Sequence, residues 1–170
     1  MDAKILIVDD HEVVRNGIRA TLNRLRPNWE ICGEATNGKD AILAIKTLAP
    51  DVAVLDISMP VMNGLEASSL LSKLSLPTKI LIFTMHESDR IAGEVKQVGA
   101  HGYVQKSQAS RDLVLAIETL LAGGTFFGPQ AAHEGEKKNQ RGPGLSFFHA
   151  LAFVWNDLQL NAFPPPQPSK

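Results

Sequence analysis

The sequence predicts an α/β fold, a five-stranded parallel sheet doubly wound by five helices and followed by a short C-terminal tail. Three observations carry this. Strand-like and helix-like apolar patterns alternate five times over residues 1–125. The runs in "AKILIVDD", "DVAVLD" and "KILIFT" are continuously apolar rather than alternating, as in strands covered on both faces. Prolines and glycines stand where one pattern gives way to the next.

The first strand, "AKILIVDD", ends in two acids. Val14, Ile18, Leu22 and Leu25 then keep helical spacing until Pro27. "WEICGEA" reads as a shorter, more polar strand near a sheet edge, and Asn37-Gly38 as a turn. Ala41, Ile42, Ile45 and Leu48 mark a second helix, stopped by Pro50. "DVAVLD" is the third strand, and Leu65, Leu70, Leu71 and Leu74 mark a third helix ending before Pro77. "KILIFT" is the fourth strand, followed by a helix on Ile91, Val95 and Val98 that is capped by Gly99. "GYVQK" is the fifth strand, and Leu113, Val114, Ile117, Leu120 and Leu121 give a fifth helix ending at Gly123-Gly124. Right-handed crossovers put helices on both faces of such a sheet. Ligands then bind beyond the carboxyl ends of the strands, where the strand order reverses.

Composition narrows the class. The 170 residues are 44% apolar, enough for a real core. The 17 basic and 18 acidic side chains nearly cancel, so bulk charge calls for neither a nucleic-acid nor a membrane partner. Cys32 is the sole cysteine; it forms no intrachain disulfide and reads as a small buried core residue. The N-terminal apolar run is too short for a signal peptide, and no stretch reaches membrane-spanning length, so a cytoplasmic protein is expected.

At the carboxyl edge the first strand delivers Asp9 and Asp10, the third Asp56, the fourth Thr84, and the fifth is followed by Lys106. Each has a plain structural reading: helix cap, turn residue, strand residue, solvated lysine. Their coincidence at one edge does not. Three close carboxylates resist full ionisation unless a cation intervenes. Magnesium fits, because it uses one or two carboxylates and completes its octahedron with water and phosphate oxygens. A carboxylate beside it can act as nucleophile and form an aspartyl phosphate. The metal and a lysine would neutralise the phosphoryl oxygens, and a threonine hydroxyl would donate to the attached group. Pairing Asp9 and Asp10 with the metal leaves Asp56 as acceptor. No glycine-rich loop follows the first strand, and its two acids would repel a nucleotide phosphate, which argues against a flavodoxin-like electron carrier. "DISMP" offers no second acid to protonate a leaving group, which argues against an aspartyl-nucleophile phosphatase.

With "VDDHEVVR", "VLDISMPVMNG", "FTMHES" and "GAHGYVQKS" in that order, the chain from Lys4 to about Gly128 resembles the receiver domain of two-component response regulators. It looks closest to the LuxR/NarL-type subgroup that usually carries a helix-turn-helix. The resemblance implies a flavodoxin-like fold, phosphorylation of Asp56, and Mg2+ bound by Asp10, Asp56 and the Ser58 carbonyl, with Asp9 acting through a metal-bound water. It implies that Lys106 pairs with the phosphoryl group, that Thr84 and Tyr103 are switch residues, and that Pro60 and Gly64 shape the loop after Asp56. The donor it implies is a sensor histidine kinase. Two residues depart from the pattern: Met85 stands where many receivers have a small residue, and Ser107 where many have proline, leaving that loop less rigidly set. Val13, off the first helix's core stripe, is a candidate kinase contact or a stray surface residue.

The expected boundary falls at residue 125. Residues 126–170 comprise a polar linker, one amphipathic segment with Phe147, Phe148, Leu151, Val154, Trp155 and Leu158, and a proline-rich end. A helix-turn-helix needs two packed helices and basic residues facing phosphate. The single helical segment has neither lysine nor arginine, so a stand-alone receiver without DNA binding is expected. The rival is a truncated or divergent DNA-binding regulator. The aromatic stripe suits a homodimer or a protein partner, or else has no function.

Overall fold

A computed structural model describes residues 2–85 and 89–127, all within the first of the chain's two units, Met1–Glu134. The second unit, Gly135–Lys170, and with it the amphipathic segment, lies outside the described residues.

The five predicted strands are present: β1 (Ala3–Val8), β2 (Trp29–Ala35), β3 (Val52–Asp56), β4 (Lys79–Thr84) and β5 (Gly102–Gln105). The helices are α1 (Glu12–Leu25), α2 (Gly38–Leu48), α3 (Gly64–Ser72), α4 (Asp89–Gln97) and α5 (Ala109–Leu121). A sixth short strand, β6 (Phe126–Phe127), was not anticipated. All pairings are parallel, in the order β2-β1-β3-β4-β5-β6. The order reverses between β1 and β3, so their carboxyl ends flank the crevice where such folds bind ligands. β2 does lie at an edge.

β1 and β3 are buried almost completely because both faces carry helices; Ile5, Leu6, Ile7, Val52, Ala53 and Leu55 have at most negligible exposure. Each of the valine, leucine and isoleucine side chains among them contributes about 1.5–3 kcal/mol on burial. α1 buries Gly17, Ile18, Thr21 and Leu22, and α5 buries Leu113, Ala116, Ile117 and Leu120.

Four local expectations need correction. Asn37-Gly38 is not a turn: Asn37 is the N-cap of α2, its side chain accepting from the Asp40 N–H at 3.0 Å. Asparagine serves both roles because its short amide reaches nearby backbone. The third helix stops at Ser72, and Leu70 and Leu74 are exposed; the face on the sheet is made by Ala67, Ser68 and Leu71. The sheet runs past residue 125, because Phe126 donates to the His101 carbonyl (3.1 Å) and extends the edge. Gly102 permits this, since a Cβ there would collide with the Phe126 carbonyl. Cys32 is only half-buried and sits at a bulge where Ile5 faces Ile31 but Leu6 faces Gly33. Burial still pushes its thiol up from the ordinary value, which suits an unreactive residue.

At the amino edge of the sheet, His101 Nδ1 accepts from the Ile80 N–H at 3.1 Å. Burial, then the nearby Lys79, holds this imidazole below its usual pKa. The neutral form is therefore the one the fold stabilises, fully so above the unfolded value of about 6.5. That stability is lost as pH falls from about 6.5 toward the folded value, because the unfolded chain then binds the extra proton. Urea midpoints at pH 7.5 and 5.5 are expected to differ more in the wild type than in His101→Asn, which keeps an acceptor without a titration. Equal pH dependence would assign the drop to other groups.

Candidate phosphoryl-acceptor site

The carboxyl ends of β1, β3 and β5 build the site. Asp9 follows β1 directly and is 1% exposed; Asp56 ends β3 and is 3% exposed. Two buried carboxylates at one edge would repel, and Lys106 resolves the conflict. Its Nζ lies 2.6 Å from Asp9 Oδ2 and 2.9 Å from Asp56 Oδ1. Lys106 sits at the start of a 3-10 turn, Lys106–Gln108, that runs into α5, with its ammonium 5.7 Å from the Phe83 ring centre. Burial pushes the Asp56 carboxyl up; the Lys106 charge opposes this and Asp9 reinforces it.

The second Asp56 oxygen accepts from the Ser58 N–H at 3.1 Å. The loop beyond it is tightly drawn. Gly64 N–H donates to the Ile57 carbonyl (3.0 Å), and Met62 N–H to that of Pro60 (2.7 Å), making a three-residue turn with Val61 at φ 68°. A β-branched residue there is strained and held by its surroundings; the Met62 carbonyl is pinned by the Gly38 N–H at 2.9 Å. Asn63 and Glu66 close a reciprocal capping box at the start of α3.

Asp10 stands at the mouth, its side chain 29% exposed. Its Oδ1 is buried and accepts no hydrogen bond. An orphaned carboxylate oxygen is costly, and with the neighbouring Asp9 it offers hard oxygens that fit a divalent cation. Asp9, Asp10 and His11 form a group able to hold a metal. Thr84 is fully buried at the end of β4, paired in register with Gln105. Tyr103 is buried in the cluster that includes Ile91, Val95 and Ala100. Met85 and Val13 are 45% and 52% exposed.

The fold thus brings Asp9, Asp56 and Lys106 into direct contact, with Ser58 against Asp56 and Asp10 beside them. Sequence reasoning missed two residues. Arg15 donates to the Asp9 carbonyl at 2.9 Å and pairs with Glu34, which also pairs with Arg19. His11 turns its ring toward both acids of β1's end. Both occur in "VDDHEVVR", spaced by one helical turn, which was the available signal.

A wound parallel sheet with an acid pair, a central aspartate and a lysine at its switch point defines a receiver. The family model for the response regulator receiver domain matches residues 5–118, and the chain belongs to that family. It is 36% identical over 130 residues to the response regulator UvrY of Escherichia coli K12, covering 76% of this chain and 59% of that protein. It is 34% identical over 131 residues to the response regulator GacA of Pseudomonas aeruginosa, covering 77% and 61%. The chain thus spans about three fifths of these relatives. A LuxR-family response regulator from Aurantimonas sp. SI85-9A1 superposes with a TM-score of 0.71 at 37% identity, over 76% of this chain and 91% of that one. The receiver domain of RcsB from Salmonella enterica, solved with phosphomimetic BeF3-, superposes with a TM-score of 0.68 at 26% identity, over 76% and 95%. No helix among the described residues is long and apolar enough to cross a membrane.

Proposed function

We propose that this chain is a phosphorylation-controlled response regulator that accepts a phosphoryl group on Asp56 from a sensor histidine kinase in the cytoplasm. The observation that carries the reading is the Lys106 ammonium bridging buried Asp9 and Asp56 beside the orphaned oxygen of Asp10. An Asp56 oxygen forms the bond to phosphorus as the bond to the donor's imidazole nitrogen breaks, and the nitrogen keeps the electron pair. Asp10, Asp56 and the Ser58 carbonyl would hold Mg2+, with Asp9 reaching it through water. The cation supplies charge neutralisation at the phosphoryl oxygens. Lys106 contributes a second positive charge there. Incubation with acetyl phosphate and Mg2+ should add one acid-labile phosphoryl group, lost on chelation. No uptake with any small donor or histidine kinase would reject the reading.

The response is proposed to run through Thr84 and Tyr103. Phosphorylation would draw the Thr84 hydroxyl and shift the population of Tyr103 positions, because a switch needs differential interaction with its two states. Thr84→Ala should still be phosphorylated but respond less. Equal phosphorylation-dependent changes in amide exchange over residues 91–105, in wild type and variant, would refute the coupling.

Output is proposed to be by protein contact or homodimerisation, not DNA. Residues 129–170 carry Lys137, Lys138, Arg141 and Lys170 against Glu134, Glu136 and Asp157, too weak a balance for phosphate binding. A salt-resistant footprint on one DNA sequence would favour the DNA-binding regulator instead.

A further inference from the structure

The Arg15 guanidinium joins three elements at the edge that carries the acids. Its Nε donates to Glu34 Oε2 at 2.9 Å, and its Nη1 donates to the Asp9 carbonyl at 2.9 Å. Arg15 belongs to α1, Glu34 to β2, and Asp9 follows β1. Arg19, one turn further along α1, pairs with the other oxygen of Glu34. The two arginines are not equivalent. Arg19 is 42% exposed and also donates to the Asn16 side chain of its own helix at 3.1 Å. Arg15 is 14% exposed and reaches from a carboxylate to a main-chain oxygen.

That oxygen belongs to the peptide between Asp9 and Asp10. The Asp9 N–H donates to the Ala35 carbonyl at 3.1 Å, so the peptides on both sides of Asp9 are tied, one by β2 and one by Arg15. The peptide is planar, and its orientation sets the direction in which the Asp10 side chain leaves the backbone. The Asp10 carboxylate also meets the His11 ring, but that ring is half exposed, and exposed pairings hold a side chain weakly. Groups that orient a metal ligand without touching the metal are worth roughly ten- to a hundredfold in affinity. We propose that Arg15 is a positioning residue for the divalent cation, holding the Asp9–Asp10 peptide so that the Asp10 carboxylate is aimed at the ion. The inference rests on reading the acid pair as the metal site, and adds the residue that orients it. Arg15 has the same sign of charge as the cation, so by charge alone its removal would tighten Mg2+ binding. Positioning predicts the opposite sign.

Full-length protein at pH 7.5 tests this with Mg2+ as probe. Calorimetry reads binding, and labelling by acetyl phosphate is followed against Mg2+ concentration. Arg15→Lys keeps a cation beside Glu34 but lacks the rigid fork that reaches two acceptors at once. It should weaken Mg2+ binding about tenfold and raise the Mg2+ needed for half-maximal labelling by the same factor. The labelling rate at saturating Mg2+ should stay within about twofold of the wild type, since the nucleophile is untouched. Arg15→Met should weaken binding at least as much. Arg19→Lys is the matched control: it disturbs the same Glu34 pair, leaves the Asp9 carbonyl its donor, and should change Mg2+ affinity less than about twofold. Wild-type Mg2+ affinity in Arg15→Lys, tighter binding in Arg15→Met, or an equal loss in Arg19→Lys would overturn the proposal. So would a lower maximal rate with unchanged Mg2+ dependence. Asp10→Ala separates the two levels of the argument. If it weakens Mg2+ binding and Arg15→Lys does not, the metal site stands and the role of Arg15 fails. A wild type that binds no Mg2+ removes the site, and the Arg15 assignment with it.

Discussion

Asp56→Ala is expected to bring phosphoryl incorporation from acetyl phosphate to background, a fall of more than about a hundredfold, because the nucleophile itself is removed. The protein should stay folded: Lys106 keeps its 2.6 Å contact to Asp9, so no buried charge is left alone. A thermal melt shows whether it does. Asp10→Ala should behave differently. Its carboxylate belongs to the proposed metal site and not to the bond being formed, so excess Mg2+ should partly restore labelling. Labelling of Asp56→Ala at the wild-type rate would place the acceptor elsewhere. Lys106→Met would expose the electrostatic side of the site. It removes the cation that bridges two buried carboxylates, and labelling should slow while the fold weakens.

Gly64→Ala is expected to be the most damaging conservative change outside the charged groups. A Cβ at Gly64 would fall on the Asp56 carbonyl oxygen, inside any van der Waals contact, with the Ile57 Cα also within 3.3 Å. Neither obstacle is a flexible side chain. Asp56 is held in β3 opposite Phe83, and the Gly64 N–H is tied to the Ile57 carbonyl. The loop must open, at a cost of roughly 2–3 kcal/mol, and Asp56 moves with it, so phosphorylation should slow as well. Gly93→Ala is the control. It lies in α4 with nothing within 4 Å of an added Cβ, and should stabilise by about 0.5–1 kcal/mol. Chemical denaturation of the two variants reads the contrast. A Gly64→Ala protein as stable as wild type would mean that the β3–α3 connection relaxes freely.

The central strands were legible because a strand buried on both faces needs a continuous apolar run, and β1, β3 and β4 each have one. Where a residue type serves two conformations, the sequence misled: Asn37 caps a helix with the same amide that makes turns. In α3 the leucines drew attention, but only Leu71 of them is fully buried, alongside Ala67 and Ser68, while Leu70 is exposed and Leu74 lies exposed beyond the helix end. β6 has only two residues, and no periodicity can signal so short a strand; it exists because Gly102 leaves room for the Phe126 backbone.

By itself the sequence determined that Asp9, Asp10, Asp56, Thr84 and Lys106 stand at strand ends, because a parallel sheet puts every such end at one edge. Tertiary structure alone decided how they meet. Asp9 and Lys106 are 97 positions apart, and only the order of the strands brings ammonium and carboxylate to 2.6 Å. Packing buried Asp9 and left Asp10 partly exposed with one oxygen unsatisfied, although the two are adjacent and identical in type. Local patterns record what each segment must bury. The charge balance of a site depends on distances between segments, and those are fixed only when the sheet is assembled.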